Sequence, residues 1–127
     1  RADPQGNFEY AGLHQDICIF RQRTKKVETI PSRGMWLGIE EDIKSATRRH
    51  RFRLEKGDLL FLYTDGIVET HSPEEEMFGH ERLVEILEKN GQRPLAEIKE
   101  KLESTLVEFR GDSVLDDDIT FALIRRK

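Results

Sequence analysis

The pattern of apolar and polar positions changes about halfway along the chain. In the first part, short apolar stretches separated by turn residues predict strands at residues 8–13, 17–21 and 27–30. The basic turn at residues 23–26 joins the last two of these strands. We therefore expect an antiparallel meander in this part of the chain.

Residues 46–54 alternate strictly between two faces, which predicts a further strand. Phe52 lies on one face, whereas Arg49, Arg51 and Arg53 lie on the other. This arginine face could hold a phosphoprotein or an acidic partner. An alternating charged face is more often simply solvated, so we leave these arginines out of the candidate site.

A continuous apolar run follows at residues 59–63, with the length of a strand that is covered on both faces. We interpret it as the central strand of a sheet. A second run at residues 119–124 reads as another buried strand.

Between these two strands the pattern predicts two helices after a polar loop at residues 72–77. The first spans about residues 79–90 and ends at Gly91. The second has Pro94 at its first helical position and ends at Gly111. Its apolar residues recur at three- and four-residue steps: Leu95, Ile98, Leu102, Leu106 and Phe109.

Acidic residues flank the two buried strands. Asp65 directly follows the strand at 59–63, and Asp116, Asp117 and Asp118 directly precede the strand at 119–124. If these strands are antiparallel neighbours, the end of one meets the start of the other and the carboxylates converge. Close carboxylates repel, so such a group either raises a pKa or recruits a cation.

Several interpretations of these acids stay open from the residues alone. Oxygen ligands favour Mg²⁺ or Mn²⁺ over zinc, for which the chain has no Cys or His cluster of suitable spacing. A simple calcium-binding domain is weaker, because the acids lack the regular spacing of an EF-hand loop. Alternatively, Asp65 and Gly66 form an ordinary turn and the acidic triplet is a solvated loop.

Composition and charge narrow the class of protein. The 127 residues suit one domain, with 36% apolar and 36% charged residues and a net charge of -4. This charge does not favour general attraction to nucleic acid or to anionic membranes. Cys18 is the only cysteine and lies in a strand-like core, so no internal disulfide is expected. No apolar run is long enough for a membrane helix, and we expect a cytoplasmic domain.

Three segments together resemble one protein family. These are residues 57–69, the pairs Phe78-Gly79 and Arg82-Leu83, and residues 117–120. Their order and spacing are similar to the second half of PP2C-like (PPM) phosphatases, in the sporulation-stage-II-E/sigma-regulator branch. Residues 10–14 resemble the strand-turn segment upstream in that branch.

The resemblance implies an α+β fold: an antiparallel β-sandwich flanked by helices in the order α-β-β-α. Residues 1–127 would be the C-terminal portion of one such domain, with its N-terminal half absent. We expect that sequence upstream of Arg1 has been removed. The missing strands would leave a sheet edge and apolar faces uncovered, which favours self-association.

The resemblance also implies a site with two Mn²⁺ or Mg²⁺ ions, at which a bridging water attacks a phosphoserine or phosphothreonine. Asp65 matches the metal ligand after the central strand. Asp117 matches the ligand of the family's Asp-Asp/Asn-x-Thr motif, whose register Thr120 fixes. Asp118 lies beside that ligand, where it would coordinate directly or support the ligand by a hydrogen bond. No catalytic residue is predicted beyond the metal ligands.

By resemblance, the function is that of a serine/threonine phosphatase domain in bacterial signalling. Its substrate would be a phosphorylated regulatory protein such as an anti-sigma-factor antagonist. The family's first Asp-Gly element has no counterpart here, so this chain alone should bind metal weakly and have little activity. The alternative is a non-catalytic partner-binding module of the same fold, in which Asp65 and Asp117 are only turn and loop residues.

Overall fold

The computed structural model of the chain describes residues 2–10, 16–31, 50–114 and 118–127. The strands in these ranges are β1 (Asn7–Tyr10), β2 (Ile17–Arg21), β3 (Lys26–Ile30), β4 (His50–Arg53), β5 (Leu59–Tyr63) and β6 (Phe121–Arg125). The helices are α1 (Asp65–Val68), α2 (Gly79–Asn90) and α3 (Leu95–Arg110). Parts of the predicted strands at 8–13 and 46–54 lie outside the described residues, as do Arg49, Asp116 and Asp117.

The strands form two antiparallel sheets. One has four strands in the order β3-β2-β5-β6, and the other consists of β1 and β4. The prediction that residues 59–63 form a central strand is confirmed, because β5 lies between β2 and β6. The prediction that this strand is covered on both faces is correct for the first three residues of β5, which are buried. It fails at Leu62, which is 36% exposed.

The four-stranded sheet buries apolar residues on both faces, as the period of two in a strand allows. One face packs against α2 and α3 through the side chains of Cys18, Phe20, Leu59 and Phe61. The other packs toward β1 and β4 through Ile17, Ile19 and Leu60, together with Leu54. The result is an α+β fold in three layers: helices, a four-stranded sheet and a two-stranded sheet.

The two long helices confirm the predicted periodicity. Leu83 and Leu87 of α2, and Ile98 and Leu102 of α3, are buried against the sheet. Pro94 is the residue before the first helical position of α3, one place earlier than predicted, with φ −52° and ψ 146°.

Glycines end both helices, for different physical reasons. Gly111 has a φ of 54°, in the left-handed region that favours glycine. Gly91 has an ordinary helical φ of −58°. A Cβ atom at Gly91 would lie 2.5 Å from the Phe20 ring, so glycine is needed there for close packing on β2.

Helix α1 was not predicted. Asp65 was predicted to follow the strand directly, with an ordinary turn at Asp65-Gly66 as the alternative, whereas the pair begins a four-residue helix. Ile67 of this helix is fully buried in the core on the helix side of the sheet. The polar loop after it is confirmed, closed by an antiparallel bridge between His71 and Met77. Among the described residues, no helix has the length and apolar character needed to cross a membrane.

Candidate functional site

The end of β5 and the start of β6 lie at the same end of the four-stranded sheet. The two strands are antiparallel, with Tyr63 at the end of β5 opposite Phe121 at the start of β6. Asp65 therefore lies beside the segment that leads into β6, as the convergence argument predicted. Asp118 is in that segment, and Asp117 is outside the described residues.

Hydrogen bonds of Thr64 link the end of β5 to the segment before β6. The Thr64 backbone N–H donates to the Thr120 carbonyl oxygen at 2.9 Å, and the Thr120 N–H donates to Thr64 Oγ1 at 3.1 Å. The Thr64 hydroxyl also lies 3.2 Å and 3.3 Å from the carbonyl oxygens of Thr120 and Asp118. The residue before Asp65 is thus bonded directly to the acidic loop.

The backbone of Asp65 is also held from the other side. The half-buried Asp65 is the first residue of α1, and its carbonyl oxygen accepts the Glu69 N–H at 2.9 Å. The Thr70 hydroxyl donates to the Gly66 carbonyl oxygen at 2.6 Å. Because Ile67 anchors the same turn in the core, the position of Asp65 is fixed by β5, α1 and the segment before β6.

A chain of polar side chains lies next to Asp65. The Tyr63 hydroxyl is 3.2 Å from His80 Nδ1, and His80 Nε2 is 3.1 Å from Thr29 Oγ1. Burial raises the pKa of Tyr63, and the negative charges of the Asp16 and Asp65 carboxylates raise it further. The phenol therefore stays neutral.

Sequence reasoning missed this polar chain and the position of Asp16. Asp16 directly precedes β2, and β2 is antiparallel to β5, so the start of β2 and the end of β5 share one end of the sheet. The position of Asp16 near Asp65 could be recognised only once β2 was known to be a neighbour of β5. The sequence gives no signal for His80, because its partners Tyr63 and Thr29 are distant along the chain.

Cys18 has no reactive character. It is fully buried, and burial raises its pKa to about 11. A thiol with this pKa stays protonated at neutral pH, so it is a poor nucleophile or metal ligand. The prediction that Cys18 lies in a strand core is confirmed.

The chemistry of the described residues suits a hard divalent cation, but their number is insufficient. Asp65 and Asp118 offer carboxylate oxygens, which Mg²⁺ and Mn²⁺ prefer. Within the described parts of the chain, no group of three or more His, Cys, Asp or Glu residues could hold a metal ion. These residues can therefore supply part of a coordination set.

Comparison with known proteins gives the family. The family model described as stage II sporulation protein E (SpoIIE) matches residues 2–127. Protein IcfG of Synechocystis is 34% identical over 122 residues, covering 95% of this chain and 19% of that protein. The phosphoserine phosphatase RsbU of Bacillus subtilis is 26% identical over 121 residues, covering 94% of this chain and 35% of that protein.

Solved structures share the fold. The SiaA-PP2C domain of Pseudomonas aeruginosa has a TM-score of 0.80 at 22% identity, over 97% of this chain and 48% of that one. The manganese-presoaked phosphatase domain of SpoIIE from Bacillus subtilis has a TM-score of 0.66 at 21% identity, over 99% and 54%. The chain spans about half of each solved domain and a smaller share of the curated relatives. With its fold and its family model in agreement, the chain belongs to the SpoIIE family of PP2C-type phosphatase domains.

Proposed function

We propose that this chain is the C-terminal portion of a phosphatase domain that removes phosphate from serine or threonine of a regulatory protein. The observation that carries the proposal is the antiparallel register of β5 and β6, with Thr64 bonded to Thr120. This register puts Asp65 next to the acidic segment before β6. Family membership supports the reaction class, and one relative is a phosphoserine phosphatase.

In this proposal Asp65 and Asp117 are metal ligands, and Asp118 is a further ligand or supports Asp117 by a hydrogen bond. When bound, two Mn²⁺ or Mg²⁺ ions would supply an activated water and would stabilise charge on the phosphoryl group. In this proposal the chain contributes by holding the carboxylates of Asp65, Asp117 and Asp118 at fixed positions. The other ligands would come from the half of the domain that residues 1–127 do not include.

The proposed substrate is a phosphorylated regulatory protein, such as an anti-sigma-factor antagonist. This choice of substrate follows from the family branch that the motifs resemble. It is consistent with the name of one relative, a phosphoserine phosphatase. Because the described residues offer an incomplete ligand set, we expect the 127-residue chain by itself to bind Mn²⁺ weakly and to release little phosphate.

The test uses the full-length protein with Asp65→Asn and Asp117→Asn substitutions. Each should lower Mn²⁺-dependent release of phosphate from a phosphoserine protein by about 100-fold or more, because a neutral amide is a poor replacement for an anionic ligand. Asp112→Asn is the matched control, since Asp112 is exposed in the turn after α3. If both site variants kept full activity, the assignment of the ligands would be wrong.

A second candidate is a partner-binding module of the same fold without catalysis. The incomplete ligand set of the described residues is compatible with both candidates. The two candidates differ in the full-length protein. Turnover that requires Mn²⁺ and Asp65 supports the enzyme, whereas binding of a phosphoprotein without any turnover supports the module.

A further inference from the structure

A strongly basic groove lies between the two sheets, where β3 of one sheet approaches β4 of the other. It has a volume of about 760 Å³. Its cations are Arg21, Arg23 and Lys26 from the β2–β3 hairpin and Arg51 and Arg53 from β4. We call this surface the arginine groove.

The charge of the arginine groove is opposite to that of the chain. Its five cations face two lining carboxylates, Glu28 and Glu55. The whole chain has a net charge of -4. Cations concentrated in a concave surface of an acidic protein create a local positive potential, which attracts anionic groups.

Several of these cations are available to a ligand. Arg23 and Arg53 are exposed, and among the described residues no carboxylate lies within ion-pair distance of either. The Arg51 side chain is 79% exposed and contacts Glu9 at 3.4 Å, and Lys26 is 73% exposed with Glu88 at 3.2 Å. Exposed pairs of this kind are weak, so a competing anion can replace them.

Arg21 has a different role, since it forms the fixed wall of the groove. Its guanidinium donates to Asp58 Oδ2 at 2.7 Å and to the Arg53 carbonyl oxygen at 2.8 Å, and it pairs with Glu28. The bond to Arg53 links β2 to β4. The spacing between the two sheets at this end is therefore fixed before any ligand arrives.

The shape of the groove suits an extended peptide. Its apolar lining includes Ile30 and Phe52, which are half-buried against the core between the sheets. Arg51 and Arg53 alternate with Phe52 on β4, so their side chains leave the opposite face of the strand, about 6.7 Å apart along the rim of the groove. Alternate side chains of an extended peptide have the same spacing, and a guanidinium pairs well with a carboxylate.

We propose that the arginine groove binds an extended, carboxylate-rich segment of a protein partner. The groove begins at the hairpin end of β2, and Asp16 marks the opposite end, where the candidate metal site lies. Because the groove and the candidate metal site are at different ends of the sheet, binding of a peptide in the arginine groove needs neither metal nor turnover. The apolar lining, from Ile30 and Phe52, favours an acidic peptide over the uniformly anionic backbone of a nucleic acid.

The test measures binding of a fluorescein-labelled peptide with alternating Glu and Ser to the full chain, in EDTA, by fluorescence anisotropy. The double substitution R23A/R53A should weaken binding by about tenfold, because it removes two exposed guanidinium groups. Binding by the unmodified chain should also weaken as salt concentration rises. R23K/R53K should recover part of the affinity, since it restores charge without the planar fork.

The matched control is K99A/K101A, which removes two exposed cations from the outer face of α3 and should leave the affinity unchanged. A peptide with Gln in place of Glu should not bind. Equal binding by R23A/R53A and the unmodified chain would contradict the proposal, as would no binding at all. Tighter binding of oligothymidylate, lost in R23A/R53A, would make a nucleic acid the ligand and would also overturn it. Because EDTA removes metal, failure here is separate from failure of the phosphatase proposal.

Discussion

Asp58 shows how a single buried carboxylate can organise the connection between two sheets. It is 1% exposed and accepts the backbone N–H groups of Gln22 and Glu55, both at 2.9 Å. The Arg21 guanidinium donates to it at 2.7 Å. These donors come from the β2–β3 turn, from the turn before β5 and from β2, so one side chain joins three segments.

Asp58→Asn should lower the free energy of unfolding by about 2 kcal/mol, because an amide loses the charge and one acceptor for these donors. Urea unfolding of the chain measures the change. Asp112→Asn, in the exposed turn after α3, should have almost no effect. Equal stability of the two variants would show that the Asp58 bonds contribute little.

The same carboxylate makes stability depend on pH. Burial pushes the pKa of Asp58 up, but hydrogen bonds from Glu55, Arg21 and Gln22 outweigh it, and the net pKa is lowered. Its contribution is thus complete above the unfolded-state pKa of about 3.9 and is lost as pH falls through the lower folded-state pKa. Acidification from pH 5 toward about pH 2 should therefore cost the unmodified chain more stability than Asp58→Asn.

Individual site residues differ in how far the sequence could predict them. The meeting of Asp65 with the segment before β6 was predictable, because two apolar runs carried acids at matching ends. The prediction that the second run is buried was wrong, since no residue of β6 is buried. The Tyr63–His80–Thr29 chain was not, since it depends on where α2 lies over the sheet. Local pattern contains no information on such contacts between distant segments.

At the scale of elements, the two long helices and the short strands were predicted, whereas the short helix α1 was not. Helices α2 and α3 have enough turns to show a buried face. Helix α1 has four residues, too few for a helical period, and its stability comes from the burial of Ile67. Tertiary packing therefore decides the conformation of the segment that begins with Asp65.

Helix α2 packs so closely on β2 that its C-cap residue, Gly91, has no room for a Cβ atom. Gly91→Ala should lower the free energy of unfolding by about 1–3 kcal/mol, because the new Cβ would lie 2.5 Å from the Phe20 ring. This is opposite to the gain expected from alanine at a helical φ. Urea unfolding measures it, with the exposed neighbour Gln92→Ala as control. A stabilised Gly91→Ala variant would mean that Phe20 moves aside without cost.

At the scale of the molecule, the two sheets do not cover each other fully. Leu62 of β5 is 36% exposed and Ile124 of β6 is 42% exposed, on the face of the four-stranded sheet that packs toward β1 and β4. Within the described residues, β6 is bonded to β5 on one side only. The strand order that leaves this surface exposed could not be predicted. The alternation of apolar residues shows where a strand lies in the sequence, but not which other strands it pairs with.

An exposed apolar strip beside an open strand edge favours association between copies of the chain. Sedimentation of the 127-residue chain should therefore give an average mass that rises with concentration. The double substitution L62S/I124T should reduce this rise, since it removes apolar contact area while Thr keeps the β-branched shape suited to a strand. Val107→Thr is the control, because Val107 is 60% exposed on α3, which packs on the opposite face of the sheet from Leu62 and Ile124. A chain that stays monomeric at all concentrations would show that this edge is blocked. If Val107→Thr alone abolished the association, the contact would lie on α3 instead.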